Sequence, residues 1–262
     1  MSAQEAKKNS FEDTTINCSR FREISNEISK LAATVNIKIT PFHDQELTHF
    51  CKLSTQDQRN VVNSVEIFLN VYKAVQAEGA SLLDSVRVVW NALAHLGYRP
   101  TSDLFSHIRP GHIIEIHNNN AVQLFRNLVF FNYCSYSLEE LYCFPLNELY
   151  SRDISVLMNL MGTAQKIFGG EIKTLVKMDL PSHIITEVRS KARLKIQDQI
   201  QFMGPLFSMV SNETAVITIE RAELLDDSKG LTRSHLELSD ELFIENIVEF
   251  KPHDSVKIYP SV

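Results

Sequence analysis

The sequence predicts an α+β protein in which a helical N-terminal region precedes an antiparallel sheet with flanking helices. Before Pro100, apolar residues recur every three or four positions, as they do along one face of a helix. After His183, apolar and polar residues alternate, as they do in a half-buried strand. Of the 262 residues, 44% are hydrophobic and 22% are charged, so the chain can bury a core.

Charge and composition narrow the classes of partner. The net charge of −6 argues against general nucleic-acid binding, which usually needs a basic excess. No apolar run approaches the roughly 18 residues that span a bilayer, and residues 1–17 lack the apolar segment of a secretion signal. The four cysteines form no CxxC pair. We therefore expect a cytoplasmic protein with reduced thiols and no nucleic-acid or membrane partner, unless it carries an unrecognised export signal.

Three helices are expected in a region spanning 19–100, after a flexible tail at 1–18. Ser54 and Gly97 supply a start signal for the second helix and a stop signal for the third. The stripe of the first helix is short for a coiled coil, so it packs either within the chain or against a second copy. The three stripes together offer more apolar surface than one small sheet can cover, which predicts a homodimer. The first stripe comprises Phe21, Ile24, Ile28, Leu31 and Val35.

Residues 101–225 are expected to form the sheet domain. Short strands at 112–117 and 121–126 flank an asparagine turn, short helices fill 127–150, and a longer helix covers 154–168. Three antiparallel strands follow between 184 and 221. The alternation over 184–196 is interpreted as one strand with Ile184 and Val188 inward and Glu187 outward. His183 is then expected to be exposed. Residues 226–262 are expected to be an extension with strands near 242–250 and 255–259.

One phrase in this second part resembles a known family. Asn127 is followed eight residues later by Ser135-Tyr136-Ser137-Leu138-Glu139-Glu140-Leu141. The phrase and the order of elements over about 110–222 are similar to those of PAS domains, although Ser135 replaces the usual glycine. The resemblance implies a sensory or interaction module that often dimerises through flanking helices. A capping box formed by Ser137 and Glu140 would explain the phrase without any family relation.

The residues give no support for a familiar cofactor. In light-sensing flavin relatives the reactive cysteine lies in a different context from Cys143, and the 154–168 helix has no histidine for haem. We therefore expect neither flavin photochemistry nor haem, and the cofactor stays unknown. His107, His112 and His117 recur every five residues, which does not keep them on one helix face. No metal site and no catalytic residue is predicted.

A small-ligand pocket is the one binding site that the sequence predicts. Small or hydroxyl-bearing residues on the long strand would face flexible methionines on the 154–168 helix and leave room for a ligand. Close packing of the methionines into that space is the alternative. The predicted ligand-binding residues are Met158, Met161, Thr186 and Ser190.

The functional expectation combines these points. The chain is predicted to be a non-catalytic signalling or regulatory protein that senses a small ligand or mediates protein–protein interaction through a PAS-like domain. The alternatives are an adaptor or effector that keeps the PAS-like part as a scaffold, and an enzyme without a recognisable motif.

Overall fold

Three helices form the N-terminal part of the computed structural model, which describes residues 3–120 and 122–225, with side chains from Thr14 onward. They are α1 (Ala3–Ala33), α2 (Thr55–Ala77) and α3 (Ser85–Leu96). The Ser54 side chain caps α2 by accepting from the Asp57 N–H, and Gly97 ends α3 with φ of +71°. Both signals act as predicted, whereas α1 begins well before the expected start at residue 19.

The apolar stripe of α1 is buried inside the chain. Phe21, Ile24 and Ile28 are at most 1% exposed, and the Phe21 ring stacks on Phe50 with centroids 4.6 Å apart. Two ion pairs to α2 flank the stripe, Lys73 with Glu27 at 2.7 Å and Arg20 with Glu66 at 2.5 Å. The stripe therefore packs within one molecule, and the surface that motivated a homodimer is already covered.

An antiparallel sheet follows the helices and curls into a half-barrel. The strands are β1 (Tyr98–Arg99), β2 (Ile113–His117), β3 (Gln123–Arg126), β4 (Tyr150–Arg152), β5 (Val176–Lys177), β6 (His183–Glu187), β7 (Lys195–Ser208) and β8 (Thr214–Leu224). Six of them run in the order β3-β2-β8-β7-β6-β4, and the two short strands β1 and β5 pair with β7.

Short helical elements connect the strands. Two 3₁₀ turns cover Phe50–Lys52 and Leu128–Tyr133. The helices are α4 (Leu104–His107), α5 (Leu138–Cys143), α6 (Leu146–Leu149) and α7 (Ile154–Phe168). The predicted antiparallel strands after α7 are confirmed, as is the packing of α7 against them.

The sheet has two differently covered faces. On the α2 face, Ile114, Ile217 and Ile219 join the core formed by the N-terminal helices. On the opposite side, which we call the α7 face, Val156, Leu160 and Ile167 of α7 pack against side chains of β7 and β8. The N-terminal helices and the sheet thus share one apolar core, which crosses the boundary expected near residue 100.

The single strand predicted over 184–196 was wrong in its length and in which side chains point inward. β6 ends at Glu187, and β7 begins at Lys195 after an irregular loop. His183, Ile185 and Glu187 point inward, whereas Ile184 is 53% exposed, so the expected facing was wrong. Buried Glu187 is accommodated because its carboxylate accepts from the Ser135 N–H, the Leu194 N–H and the hydroxyls of Ser135 and Ser190.

Two further sequence expectations concern the ends of the chain and the membrane. The strands expected near 242–250 and 255–259 lie outside the described residues. Of the described helices, none combines the length and the apolar composition that a bilayer crossing requires.

Candidate functional site: a buried polar cluster on the α7 face

Ionisable side chains from five strands gather on the α7 face of the sheet. Glu115 lies opposite Thr218 in the β2–β8 ladder, and His183 lies opposite Asp198 in the β6–β7 ladder. Paired residues project to the same side of a sheet, so the strand register places these ionisable side chains next to one another. We call this set the polar cluster: Glu115, His117, Arg152, His183, Asp198 and Glu220.

Hydrogen bonds and ion pairs hold part of the cluster in place. Arg152 donates to Asp198 Oδ2 at 3.1 Å, and His183 Nε2 lies 3.5 Å from the same oxygen. The Thr218 hydroxyl donates to Glu220 at 2.6 Å. The Gln123 amide donates to Glu115 at 2.8 Å, so each carboxylate has at least one fixed partner.

Burial dominates the electrostatics of the two most enclosed carboxyl groups. It raises the pKa of Asp198 to about 6, since the attraction of Arg152 offsets the loss of solvation only in part and Glu115 adds repulsion. Burial, with repulsion from Asp198 and Glu115, also raises the pKa of Glu220 well above its usual range. The shift favours the neutral form of the Glu220 carboxyl group, which can act as a hydrogen-bond donor.

The histidines of the cluster are shifted in the opposite direction. Burial lowers the pKa of His117, and Arg126 and Arg152 lower it further against the opposing pull of Glu115. The pKa of His183 is lowered by burial and then by Arg152. Both imidazoles are neutral at pH 7, so each offers one donor and one acceptor nitrogen.

Several buried polar atoms at this site lack a hydrogen-bond partner within the described part of the chain. They are Oδ1 of Asp198 and Nη1 of Arg126, which lies opposite Glu115 in the β2–β3 ladder, together with the ring nitrogens of His183. The His183 ring has the Pro181 backbone and the Asp198 carboxylate nearby, but neither contact has good hydrogen-bond geometry. The Arg126 guanidinium also covers the Phe130 ring, 4.2 Å from its centroid. Because an unpaired buried polar atom costs about 1–3 kcal/mol, this arrangement favours a molecule that would satisfy the atoms.

The four ligand-binding residues predicted from the sequence are placed elsewhere. Met158 and Met161 are 63% and 50% exposed on the outer side of α7, away from its packed face. Thr186 lies on the side of β6 opposite His183 and Ile185. Ser190 is buried, but its hydroxyl donates to Glu187 at 2.5 Å. The structure does not bring the four together, and ligand binding by them stays an untested prediction.

The histidines spaced by five residues also separate. The His107 ring packs on Phe202 with centroids 4.3 Å apart. His112 Nδ1 accepts from the Arg109 N–H, and Arg221 Nε lies 3.2 Å from His112 Nε2. Burial, followed by the charges of Arg221 and Arg109, lowers the pKa of His112 to about 4. His117 joins the polar cluster.

Sequence reasoning missed most of the polar cluster: it assigned His183 to the solvent side and named none of the carboxylates as site residues. The signal that could have indicated it is the presence of charged residues inside otherwise apolar strand patterns, such as Glu115 between Ile114 and Ile116 or Glu220 after Ile219. Such residues are rarely buried unless they are paired or functional.

Comparisons with known proteins leave this site to be interpreted from its geometry. A scan against protein-family models, a search of curated proteins and a search of solved structures each found no match to the chain. The fold and the site together define a mixed helix–sheet protein with an ionisable cluster enclosed on one face of a curled antiparallel sheet.

Proposed function

We propose that the chain is a non-catalytic regulatory module with a PAS-like sheet domain, and that its polar cluster binds a small polar ligand. The order of elements supports the PAS-like part of this proposal. From β2 to β8, two short strands precede short helices, one longer helix and three antiparallel strands, with β4 and β5 as short additions.

The observation that carries the ligand proposal is the set of unpartnered atoms on His183 and Asp198. Both side chains are nearly inaccessible, and they project from neighbouring strands toward the same space. Buried polar atoms in folded proteins are almost always paired with protein, water or a ligand. These two residues therefore mark where a ligand's polar groups would bind.

The chemistry of the cluster constrains the ligand. The guanidinium groups of Arg126 and Arg152 can donate hydrogen bonds, whereas Asp198 Oδ1 accepts. The neutral histidines do both. A small molecule that carries both acceptor and donor groups fits this pattern better than an apolar ligand.

Native mass spectrometry of freshly purified protein tests the proposal, because it reports a retained small molecule and the oligomeric state together. We expect the wild-type spectrum to contain an adduct that is absent from the denatured spectrum. His183→Leu removes both unpartnered nitrogens while keeping the side-chain volume similar. This variant should lose the adduct. Because it also removes the contact of His183 Nε2 with Asp198 Oδ2, urea unfolding checks that the variant remains folded.

Asp179→Asn provides the matched control, because Asp179 is exposed on the segment just before β6 and should leave the adduct intact. The proposal fails if wild-type protein carries no adduct under any gentle condition. It also fails if His183→Leu retains the adduct to the same extent as wild type, because ordered water would then account for the unpartnered atoms.

A further inference from the structure

We propose that His43, His49 and Glu140 form a binding site for a divalent transition-metal cation, with zinc as the metal that this ligand set favours. The site lies between the loop after α1 and the start of α5. It is separate from the polar cluster and does not depend on the function proposed above. We call it the His–Glu site.

The distances between the ligand atoms suit a metal ion. One nitrogen from each imidazole and one Glu140 oxygen all lie within 4.8 Å of one another. His43 Nδ1 is 3.4 Å from Glu140 Oε1. Ligand atoms of a tetrahedral zinc ion, each about 2.0–2.2 Å from the metal, are roughly 3.3–3.5 Å apart. One pair already has this spacing, and a small side-chain rotation of His49 would complete the set.

A buried carboxylate holds the two histidines next to each other. Glu139, which is fully buried, accepts from the His43 N–H at 2.9 Å and from the His49 N–H at 2.8 Å. A third bond, from the Phe50 N–H at 3.0 Å, fixes the same loop. The backbone positions of both imidazoles are therefore set without any metal, which lowers the entropy cost of binding one.

Glu140 is oriented by its role in the helix cap. Its Oε2 accepts from the N–H and hydroxyl of Ser137, at 2.9 and 2.8 Å, while Oε1 is directed at His43. The His49 ring packs edge-on against Phe144 with centroids 4.8 Å apart. The Glu140 carboxylate thus has a defined orientation, and the contact with Phe144 limits the His49 ring to small rotations, as a metal site requires.

The ligand set and its exposure select the type of metal. Imidazole nitrogens with a carboxylate oxygen suit zinc and its neighbours in the first transition series, whereas calcium and magnesium prefer all-oxygen sites. Three protein ligands leave a fourth zinc position for water. The His43 side chain is 45% exposed, so a metal ion could enter from solvent.

Binding would join parts of the chain that are far apart in sequence. His43 and His49 precede α2, while Glu140 lies in the first turn of α5. A ligand that binds the folded state and not the unfolded state raises stability in proportion to the logarithm of its free concentration. Zinc should therefore raise the unfolding temperature of the full chain.

Isothermal titration calorimetry with zinc chloride, after dialysis against a chelator, is the direct test. We expect one zinc ion per chain and a zinc-dependent rise in unfolding temperature. His49→Ala and Glu140→Gln should each weaken binding by more than the roughly 10–100-fold that loss of an outer-shell partner costs. Glu140→Gln is the sharper variant, because glutamine can still complete the helix cap and the protein should stay folded.

His95→Ala is the control, because it removes an exposed histidine in the last turn of α3, outside the proposed site. It should bind zinc as tightly as wild type. The inference is overturned if wild type binds less than one equivalent, or if both ligand variants bind with wild-type affinity. It is equally overturned if His95→Ala weakens binding as much as they do.

Discussion

At the scale of single residues, the structure shows contrasting ways of burying a carboxyl group. Glu139 and Glu187 are fully buried, and each accepts three or more hydrogen bonds from fixed donors. Asp198 and Glu220 are almost as buried but have fewer donors, and the pKa of each is raised. Donors compensate a buried negative charge, whereas burial without enough donors favours the neutral acid.

This contrast predicts that Asp198→Asn changes the free energy of unfolding by an amount that depends on pH. Burial raises the pKa of Asp198 to about 6 in the folded state, against about 3.9 in an unfolded chain. Between these values the folded state keeps a proton that the unfolded state has lost, so ionisation lowers the free energy of unfolding as the pH rises. Asparagine does not titrate. The variant should gain stability relative to wild type by on the order of 3 kcal/mol between about pH 4 and pH 7.

Urea unfolding of both proteins at several pH values measures this difference. The comparison is needed because His117 and His183, whose pKa values are lowered, make both proteins less stable as the pH falls. The contribution of His117 is present in both proteins, and His183→Leu combined with Asp198→Asn separates the part that His183 adds through its contact with Asp198. Asp179→Asn, at an exposed position, should track wild type. If the free energies of unfolding of Asp198→Asn and wild type change with pH in parallel, folding does not raise the pKa of Asp198.

At the scale of elements, α5 connects the two parts of the fold. Ser137 and Glu140 form the capping box that the sequence allowed. Leu138 and Leu141 enter the core, and Glu139 bonds the loop between α1 and α2. Tyr136 donates to the Leu149 carbonyl oxygen and accepts from the Arg189 and Ser190 N–H groups. The phrase that resembles PAS domains thus has a structural role at nearly every position.

Glu139→Ala should therefore destabilise the whole protein. The change removes the acceptor of three backbone N–H groups, one of them fully buried on Phe50. We expect a loss of about 3 kcal/mol or more in the free energy of unfolding, measured by urea denaturation. Glu23→Ala, which removes an exposed carboxylate paired with Arg20, should cost less than about 1 kcal/mol. Equal losses for the two variants would contradict the anchoring role of Glu139.

At the scale of the whole molecule, one core unites the N-terminal helices with the sheet. Phe68 of α2 packs near Phe125 of β3, with ring centroids 5.8 Å apart, and the Tyr72 hydroxyl accepts from the Leu128 N–H at 2.7 Å. α1 covers α2 from the other side. The helices are therefore integral to the fold, and the expected homodimer would need a surface other than the α1 stripe.

Ile28→Ala tests this arrangement. Ile28 is 1% exposed in the core, so the substitution should lower the free energy of unfolding by about 2–5 kcal/mol without changing the molar mass in light scattering. Ile16→Ala on the same helix is the control, since Ile16 is 64% exposed and its loss should cost less than about 0.5 kcal/mol. A dimeric wild type that becomes a stable folded monomer on Ile28→Ala would instead place the stripe at a dimer interface.

The sequence by itself determined the local elements of this protein. Helical periodicity located the stripes of α1, α2 and α3, and Ser54, Gly97 and Ser137 act as the caps that their residue types predict. The presence of antiparallel strands after α7 followed from alternation, although the break between β6 and β7 did not. These features depend on residues within a turn or two of one another, so a sequence window contains the information that sets them.

Tertiary structure alone decided which side chains of β6 point inward and which residues form the polar cluster and the His–Glu site. Alternation has a period of two and gives two possible phases. In the observed phase Glu187 is buried, and Ser135 and Ser190, both outside the strand, donate hydrogen bonds to its carboxylate. His183 consequently turned inward beside Asp198. His49 and Glu140 likewise meet through the hydrogen bonds of Glu139 to a loop about 90 residues away. Such contacts depend on how distant segments pack, which no local pattern encodes.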